Sequence, residues 1–156
     1  MNNLVDLLPR SSRRALVEPS GREIRFDTLR EEVEALAGGL HADGLEAGDR
    51  VVLLVPMGID LYRCLLALFH LGASAVLVDP SGPVAQNLER VAPRALIGVP
   101  RAHLLRLKIP ALRGLSRYYS TGFCLLPHRR LHRLCAPPPP KAGPESVALI
   151  TFTTGT

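Results

Sequence analysis

The sequence predicts an α/β fold, a parallel sheet flanked by helices on both faces. Three runs of β-type apolar residues, 51–55, 74–78 and 95–99, carry no alternating polar positions. Such runs are typical of strands that are buried on both faces. A stretch of helical character follows each run, so strands and helices alternate at short spacing. This alternation favours parallel strands joined by helical crossovers.

The residues before these strands predict a hairpin and a long helix. Residues 1–14 are expected to form a short amphipathic helix, and residues 15–26 two short strands with a turn between them. Asp27 is predicted to cap a helix that extends to about Ala42. The apolar residues of this helix recur at helical spacing and define one buried stripe: Leu29, Val33, Leu36, Ala37 and Leu40.

Two further helices are predicted between the buried strands. The apolar segment 59–71 forms the first and ends at Gly72, and residues 84–91 form the second. A helical turn is expected at 101–107. The pattern then becomes irregular, because residues 108–144 are basic and proline-rich.

This irregular segment is predicted to act as a connector. Residues 116–126 are expected to hold one or two short strands. Pro137–Pro140 favours an extended stretch without internal hydrogen bonds. The connector delivers the chain to its last dozen residues.

The final residues, 145–156, combine a predicted strand with a polar loop. Residues 147–152 are apolar and β-branched, which favours a strand buried on both faces. The loop is Thr153, Thr154, Gly155 and Thr156. Phosphates are commonly held where such a loop leaves the carboxyl end of an interior strand. An ordinary strand-end turn is the alternative interpretation.

Length and composition indicate about one globular domain. The chain has 156 residues, of which 47% are hydrophobic, so it can bury a core. No apolar run approaches the ~20 residues of a membrane span, and the first residues lack the long apolar stretch of a signal peptide. The three cysteines show no paired spacing, which favours a reducing, cytoplasmic environment.

The charge is unevenly distributed along the chain. The net charge is +5, and the segment from Arg90 to Pro144 contains eleven of the nineteen Lys and Arg residues but no Asp or Glu. An anionic ligand, an acidic membrane surface and nucleic acid are the functional interpretations. A solvated face, or a surface that docks on another part of the protein, is the simpler interpretation.

Several residue types invite a catalytic or metal-binding interpretation, and a structural one is favoured for each. Cys124, His128, His132 and Cys135 are zinc-ligand types, but four ligands within twelve residues do not easily surround one ion. Asp79 is expected to bond within its own turn. His70 is expected to cap carbonyls at the end of its own helix, and His103 is expected to be buried or to act as a cap.

The run from Phe26 to Pro80, which includes AGGL, GDRV and GASAVLVDP, resembles the amino-terminal portion of adenylate-forming enzymes. That superfamily contains acyl-CoA synthetases, luciferases and the adenylation domains of peptide synthetases. The closing TFTTGT resembles the start of the family's phosphate loop. A narrower resemblance, over residues 77–107, is to the fatty-acid-CoA-ligase-like enzymes that make β-lactones in olefin biosynthesis.

The resemblance implies activation of a carboxylate by ATP. The carboxylate attacks the α-phosphate and gives acyl-adenylate and pyrophosphate, with Mg²⁺ offsetting the phosphate charge. The acyl group then passes to CoA or closes to a β-lactone, and a fatty or β-hydroxy fatty acid is the expected substrate. Thr153, Thr154, Gly155 and Thr156 are the implied contacts of the β- and γ-phosphates. No catalytic residue and no metal ligand are assigned.

The expected organisation is an incomplete amino-terminal subdomain of the adenylate-forming fold. Residues 1–14 form the N-terminal helix, 15–107 the α/β portion, 108–144 the connector, and 145–156 the last strand with the start of the phosphate loop. The family's loop lysine, Mg²⁺ ligand and mobile carboxy-terminal domain have no counterpart here, so the chain is expected to be inactive alone.

Exposed apolar sheet edges would favour association with a missing carboxy-terminal portion or with a second copy. Peripheral contact with a membrane is compatible with the composition. A stand-alone binding or regulatory module of the same fold is the alternative function. A nucleic-acid-associated protein is disfavoured, because the basic segment lacks interleaved aromatic residues.

Overall fold

The computed structural model describes residues 3–79 and 81–152. The strands are β1 (Arg14–Val17), β2 (Glu23–Arg25), β3 (Arg50–Leu54), β4 (Ser74–Leu77), β5 (Ala95–Gly98), β6 (Arg117–Ser120), β7 (Arg129–Arg130) and β8 (Leu149–Thr151). The helices are α1 (Phe26–Ala42), α2 (Ile59–Leu71), α3 (Val84–Val91) and α4 (Leu105–Lys108). Short 3₁₀ turns lie at Leu4–Leu7, Pro100–Leu104, Pro110–Leu112 and Leu131–Arg133.

Six of these strands form one parallel sheet in the order β7-β6-β5-β3-β4-β8. The central strand β3 pairs on both sides, so that Val52 lies opposite Val76 on β4 and Leu96 on β5. The chain leaves β3 toward β4 and then crosses back to place β5 on the other side of β3. The predicted α/β class, a parallel sheet flanked by helices, is confirmed.

Helices cover both faces of the sheet, and the alternation of side chains along β3 divides the interior into two cores. Val51 and Leu53 belong to the larger core, with residues of α1 and α2. Val52 belongs to the smaller core, with Leu88 of α3 and Leu112. Both faces of β3 are therefore buried, which explains why the strand sequences show no polar alternation.

Helix α1 buries the predicted stripe but begins differently from the prediction. The buried residues of the stripe are Leu29, Val33, Leu36, Ala37 and Leu40. The N-cap position is Arg25, and Asp27 lies inside the first turn. The Asp27 carboxylate accepts a hydrogen bond from the backbone N–H of Thr28. Asp27 is therefore not the cap, although its charge lies near the positive end of the helix dipole.

The predicted helix over residues 1–14 is wrong. The structure has one 3₁₀ turn, Leu4–Leu7, which Asn3 and Asp6 cap reciprocally. Leu8 is extended after this turn, with φ −66° and ψ 126°. The residue before a proline is disfavoured in the helical region, so Pro9 ends the turn.

The predicted burial of the last strand on both faces is also wrong. Strand β8 lies at the end of the sheet and pairs with β4 alone among the described strands. Leu149 on it is 47% exposed. In this chain the Leu149 side of β8 is therefore partly open to solvent.

A buried carboxylate ties the opposite side of the sheet to α1. Asp43, which follows α1, is only 7% exposed and accepts a hydrogen bond of 2.8 Å from the Tyr119 hydroxyl of β6. Its other oxygen lies 2.7 Å from an Arg129 guanidinium nitrogen of β7, and Arg117 lies 3.7 Å away. Burial, and then the bond to Asp43, raise the pKa of Tyr119 well above its ordinary value. Asp43 thus ties β6 and β7 to the end of α1.

Replacing Asp43 should therefore destabilise the fold. Asp43→Ala leaves the Tyr119 hydroxyl buried without its acceptor and two arginines without their partner, and we expect a loss of about 2–3 kcal/mol in the free energy of unfolding. Urea denaturation measures it. The control Asp27→Ala, which removes a partly exposed carboxylate, should cost under about 1 kcal/mol. Equal losses for the two variants would contradict the structural role of Asp43.

Candidate nucleotide-binding edge of the sheet

The carboxyl ends of the parallel strands meet at one edge of the sheet. Strands β3 and β5 are the neighbours at which the direction of winding reverses, and ligands of open α/β sheets bind outside the carboxyl ends at such a point. A cleft of about 490 Å³ opens there. It is lined by Leu53, Leu54, Val55, Pro56, Val78, Val99, Arg101, Ala102 and Leu105. Its size suits a small-molecule ligand, and its chemistry is apolar with one guanidinium.

Asp79 follows β4 at this edge and bonds within its own loop, as the sequence predicts. Its Oδ1 accepts hydrogen bonds from the backbone N–H of Ser81, at 2.9 Å, and from the Ser81 hydroxyl, at 2.7 Å. These bonds hold the pKa of Asp79 below its ordinary value. Asp79 thus fixes the shape of the loop.

The other carboxylates near this edge are also bonded to protein donors. Glu18 Oε1 accepts a hydrogen bond of 2.9 Å from the backbone N–H of Ile59, the first residue of α2. Asp60 forms ion pairs of 3.2 Å with Arg22 and with Arg63. The contacts of Glu18 with Ile59 and of Arg22 with Asp60 fasten the β1–β2 hairpin to α2 and so contribute to the scaffold of the edge.

His103 lies beneath the loop that follows β5 and is fully buried, as predicted. Its Nε2–H donates a hydrogen bond of 3.0 Å to the Tyr119 carbonyl oxygen of β6. Its Nδ1 is buried and has no hydrogen-bond partner in the described part of the chain. Burial lowers the pKa of His103, with nearby Arg106 and His128 acting in the same direction. His103 thus joins the turn after β5 to β6 through this hydrogen bond.

This lowered pKa makes the stability depend on pH. The unfolded chain binds a proton to His103 near pH 6.5 and the folded chain does so only at lower pH, so stability should fall as the pH drops below about 6.5. Urea midpoints between pH 8 and 5 measure this. His103→Gln should make the urea midpoint depend less steeply on pH in that range. The control His132→Gln, which changes an exposed histidine, should leave this dependence unchanged. If the urea midpoint depends on pH equally in the unaltered chain and in both variants, the proposed effect of His103 on stability is contradicted.

The segment 134–142, which we call the proline strap, carries the chain across the helices toward β8. It crosses α1 where that helix has two adjacent glycines. A Cβ on Gly38 would lie 2.0 Å from the carbonyl oxygen of Ala136, and a Cβ on Gly39 would lie 2.5 Å from the backbone carbon of Leu134. Any side chain at these two positions would therefore displace the strap.

A second set of contacts holds the strap to the end of α2. The His70 ring nitrogen Nε2 donates a hydrogen bond of 3.0 Å to the Pro139 carbonyl oxygen, and the Ala142 N–H donates to the His70 carbonyl at 2.9 Å. The Asn3 side-chain amide bridges the Phe69 and Ala142 carbonyls at 2.9 and 3.0 Å. The prediction that the His70 side chain caps its own helix is wrong, because its ring binds the strap.

The strap ends by placing β8 beside β4. The Ser74 hydroxyl donates to the Val147 carbonyl at 2.5 Å, and the Ala75 N–H donates to the Ala148 carbonyl at 2.9 Å. Ile150 then lies opposite Val76. Strand β8 runs parallel to β4 and therefore ends at the edge that carries the cleft. The predicted phosphate contacts, Thr153, Thr154, Gly155 and Thr156, lie outside the described residues, so their role stays a prediction.

Sequence reasoning missed the two glycines and His70 as anchors of this strap. The two glycines were themselves a signal. A glycine inside a helix lowers stability by about 1 kcal/mol relative to alanine, so two adjacent ones indicate that another part of the chain packs closely there. The sequence did not show what packs there, because the strap is about a hundred residues away along the chain.

Gly39→Ala should release the strap. We expect the amide hydrogen of Ala136, which is bonded to the Ala35 carbonyl, to exchange about tenfold faster, and the amides of Ala142 and Ala75 to lose protection as well. Residue-resolved hydrogen exchange measures this.

The matched control for this prediction is Gly21→Ala. Gly21 also resists substitution, because its φ is +87°, but its Cβ would meet no atom within 4 Å. This variant should lower global stability by about 1 kcal/mol without selective exchange along the strap. Unchanged exchange at Ala136 in Gly39→Ala would show that the strap does not depend on the glycine.

The four residues that suggested a zinc site are dispersed. Cys124 is buried and Cys135 is exposed. His128 packs on His103, with 6.2 Å between ring centroids. Across residues 3–79 and 81–152, no three His, Cys, Asp or Glu side chains are grouped so that they could hold a metal ion.

The fold and the edge together define an α/β protein of the kind that binds a ligand at the carboxyl ends of its strands. Comparison with known proteins specifies it further. The model of the family described as AMP-binding enzyme matches residues 9–156, and the chain belongs to this family. Adenylate-forming enzymes of this family act on small-molecule carboxylates with ATP.

Two relatives illustrate the similarity in sequence. An olefin beta-lactone synthetase of Stenotrophomonas maltophilia is 36% identical over 92 residues, which are 57% of this chain and 17% of the relative. Human Disco-interacting protein 2 homolog B is 32% identical over 143 residues, which are 82% of this chain and 9% of that protein. The chain thus spans less than a fifth of the length of either relative.

Solved structures show the same fold. The anthranilate CoA ligase AuaEII, determined in complex with anthranoyl-AMP, superposes with a TM-score of 0.84 and 21% identity, over 99% of this chain and 32% of that one. The chain therefore corresponds in fold to about a third of an adenylate-forming ligase. No helix within the described part of the chain is long and apolar enough to cross a bilayer.

Proposed function

We propose that this chain is the amino-terminal part of an ATP-dependent acyl-adenylating ligase. In this reaction a carboxylate oxygen of the substrate attacks the α-phosphate of ATP, a P–O bond to the β-phosphate breaks, and pyrophosphate leaves with the electron pair. The observation that carries the proposal is the family match across residues 9–156, which includes the strand that leads into the hydroxyl-rich loop.

The placement of β8 supports a role for that loop. Strand β8 ends beside β4, at the edge where the 490 Å³ cleft opens. In the proposed mechanism the hydroxyls of Thr153, Thr154 and Thr156 donate hydrogen bonds to the β- and γ-phosphate oxygens, and Gly155 lets the backbone approach them. These donors would orient the triphosphate and stabilise the charge that develops on the leaving pyrophosphate.

The described residues do not by themselves fit Mg²⁺, the ion that commonly accompanies ATP. Mg²⁺ prefers carboxylate and phosphate oxygens. The described carboxylates near the edge, Glu18, Asp60 and Asp79, are bonded to protein donors. We therefore derive no step through the metal from the described residues.

The proposed substrate is a fatty or β-hydroxy fatty acid. The sequence similarity to an olefin beta-lactone synthetase supports this class, and so does the apolar lining of the cleft. Transfer of the acyl group to CoA, or closure to a β-lactone, completes the proposed reaction.

The 156-residue polypeptide alone should be inactive. It contributes part of one subdomain, and adenylation requires positioned groups on both sides of the α-phosphate. We expect no exchange of labelled pyrophosphate into ATP with fatty or 3-hydroxy fatty acids. The longer polypeptide obtained by reading the coding DNA through and past Thr156 should show exchange.

The two arms of this assay separate the alternatives. Pyrophosphate exchange by the 156-residue chain alone would contradict the prediction that this chain is inactive. Failure of exchange by a longer, folded polypeptide that contains the loop lysine would overturn the proposed ligase and favour a binding module of the same fold.

A further inference from the structure

A cationic and apolar surface lies on the side of the sheet that carries β6 and β7. We call it the basic apolar patch, and it consists of Arg106, Leu107, Arg113, Phe123, Leu125 and Arg130. Its residues come from two segments, one that follows β5 and one that follows β6. None of them takes part in the proposed phosphate loop or in the strap.

The apolar members of the patch are unusually exposed. Leu125 is 91% exposed, Phe123 is 65% exposed and Leu107 is 59% exposed. Single exposed apolar side chains are common, but several grouped together among polar neighbours are typical of an interaction surface.

Contacts between the two segments hold these side chains on one surface. The Arg106 guanidinium lies 3.4 Å from the centre of the Tyr118 ring and donates a hydrogen bond of 2.8 Å to the Pro127 carbonyl. Arg113 Nε donates to the Arg106 carbonyl at 3.0 Å. Arg130 lies 5.5 Å from the centre of the Phe123 ring. These contacts join the two segments beside the exposed residues Leu107, Phe123 and Leu125.

The charges of this region are divided between the interior and the surface. Arg117 and Arg129 lie beside the buried Asp43 carboxylate and form ion pairs with it. Among the ion pairs of residues 3–79 and 81–152, Arg106, Arg113 and Arg130 have no acidic partner. Every residue of the patch comes from the segment 90–144, which contains no Asp or Glu.

We propose that the basic apolar patch docks on the surface of an anionic phospholipid bilayer. Leu107, Phe123 and Leu125 enter the boundary between headgroups and acyl chains, while Arg106 and Arg130 bind lipid phosphates. Exposed aliphatic and aromatic side chains ringed by cations are what such an interface recognises. This inference does not rest on the proposed ligase activity.

Charge and composition argue against two other occupants. A second copy docked through the same patch would set its arginines against identical arginines, and such like-charge contacts are unfavourable. Single-stranded nucleic acid is held by aromatic residues that stack on successive bases, and the patch has one exposed aromatic ring, Phe123.

The test is cosedimentation of the chain with vesicles. We expect binding to vesicles that contain about one third phosphatidylglycerol in phosphatidylcholine, weakening several-fold as salt rises from about 0.05 to 0.5 M, and little binding to pure phosphatidylcholine. Leu125→Ser should weaken binding about tenfold, and Arg130→Gln about fivefold. Because Leu125 is almost fully exposed, its replacement should leave the fold intact.

The control variant is Val147→Ser. Val147 is also an exposed aliphatic residue, at 61%, but it precedes β8 on the opposite side of the sheet. It should bind anionic vesicles like the unaltered chain. Equal loss in Val147→Ser and Leu125→Ser, or equal binding to both kinds of vesicle, would overturn the proposal in favour of non-specific apolar adsorption.

The remaining outcomes identify other occupants. Dimerisation in light scattering that Leu125→Ser abolishes would assign the patch to a second copy. Tighter, salt-sensitive binding to DNA than to vesicles would assign it to nucleic acid. Loss of vesicle binding in a longer polypeptide that contains this chain would show that the remainder of the protein covers the patch.

Discussion

Because six strands of this chain run in the same direction, the loop that follows each strand emerges at one edge of the sheet. That single constraint places the cleft, the Asp79 turn and the end of β8 near one another. Parallel pairing also requires each connection to return to the opposite edge, so every crossover lies over a face of the sheet. Helices α2 and α3 supply two of these crossovers and bury the two cores.

The crossover to β8 is different, because most of it is extended chain. An extended strap cannot satisfy its own backbone groups as a helix does, so it depends on partners along its route. The glycine pair of α1 lets its backbone lie close, and His70 and Asn3 supply hydrogen bonds at the end of α2. The position of β8, which precedes the proposed phosphate loop in the sequence, thus depends on residues far along the chain.

The cations of the basic segment serve two physical purposes. Arg117 and Arg129 neutralise the buried Asp43 and hold β6 and β7 to α1, where an unpaired carboxylate would be costly. Arg106, Arg113 and Arg130 instead fasten two loops through carbonyl and aromatic contacts and keep their charge at the surface. A count of charges along the sequence does not separate these two groups.

Much of the architecture was predictable, since local signals and the fold agree. Periodicity and turn chemistry indicate several features that the structure also has. These are the bounds of α2 and α3, the buried stripe of α1, the left-handed end of α2 at Gly72 and the self-bonded turn of Asp79. The helix expected over residues 1–14 failed because Pro9 outweighed a short apolar periodicity. The candidate site was predictable only as a loop at a strand end, and its four residues remain a prediction.

The sequence by itself determined that the chain alternates buried strands with helices and belongs with adenylate-forming proteins. These properties are carried by short-range patterns and motifs. Only the tertiary structure decided that β8 pairs with β4, that His70 holds a strap, and which arginines stay at the surface. Those outcomes depend on contacts between residues distant in the chain. No local sequence pattern specifies which distant segment packs on a pair of helix glycines, or which carboxylate pairs with a given arginine.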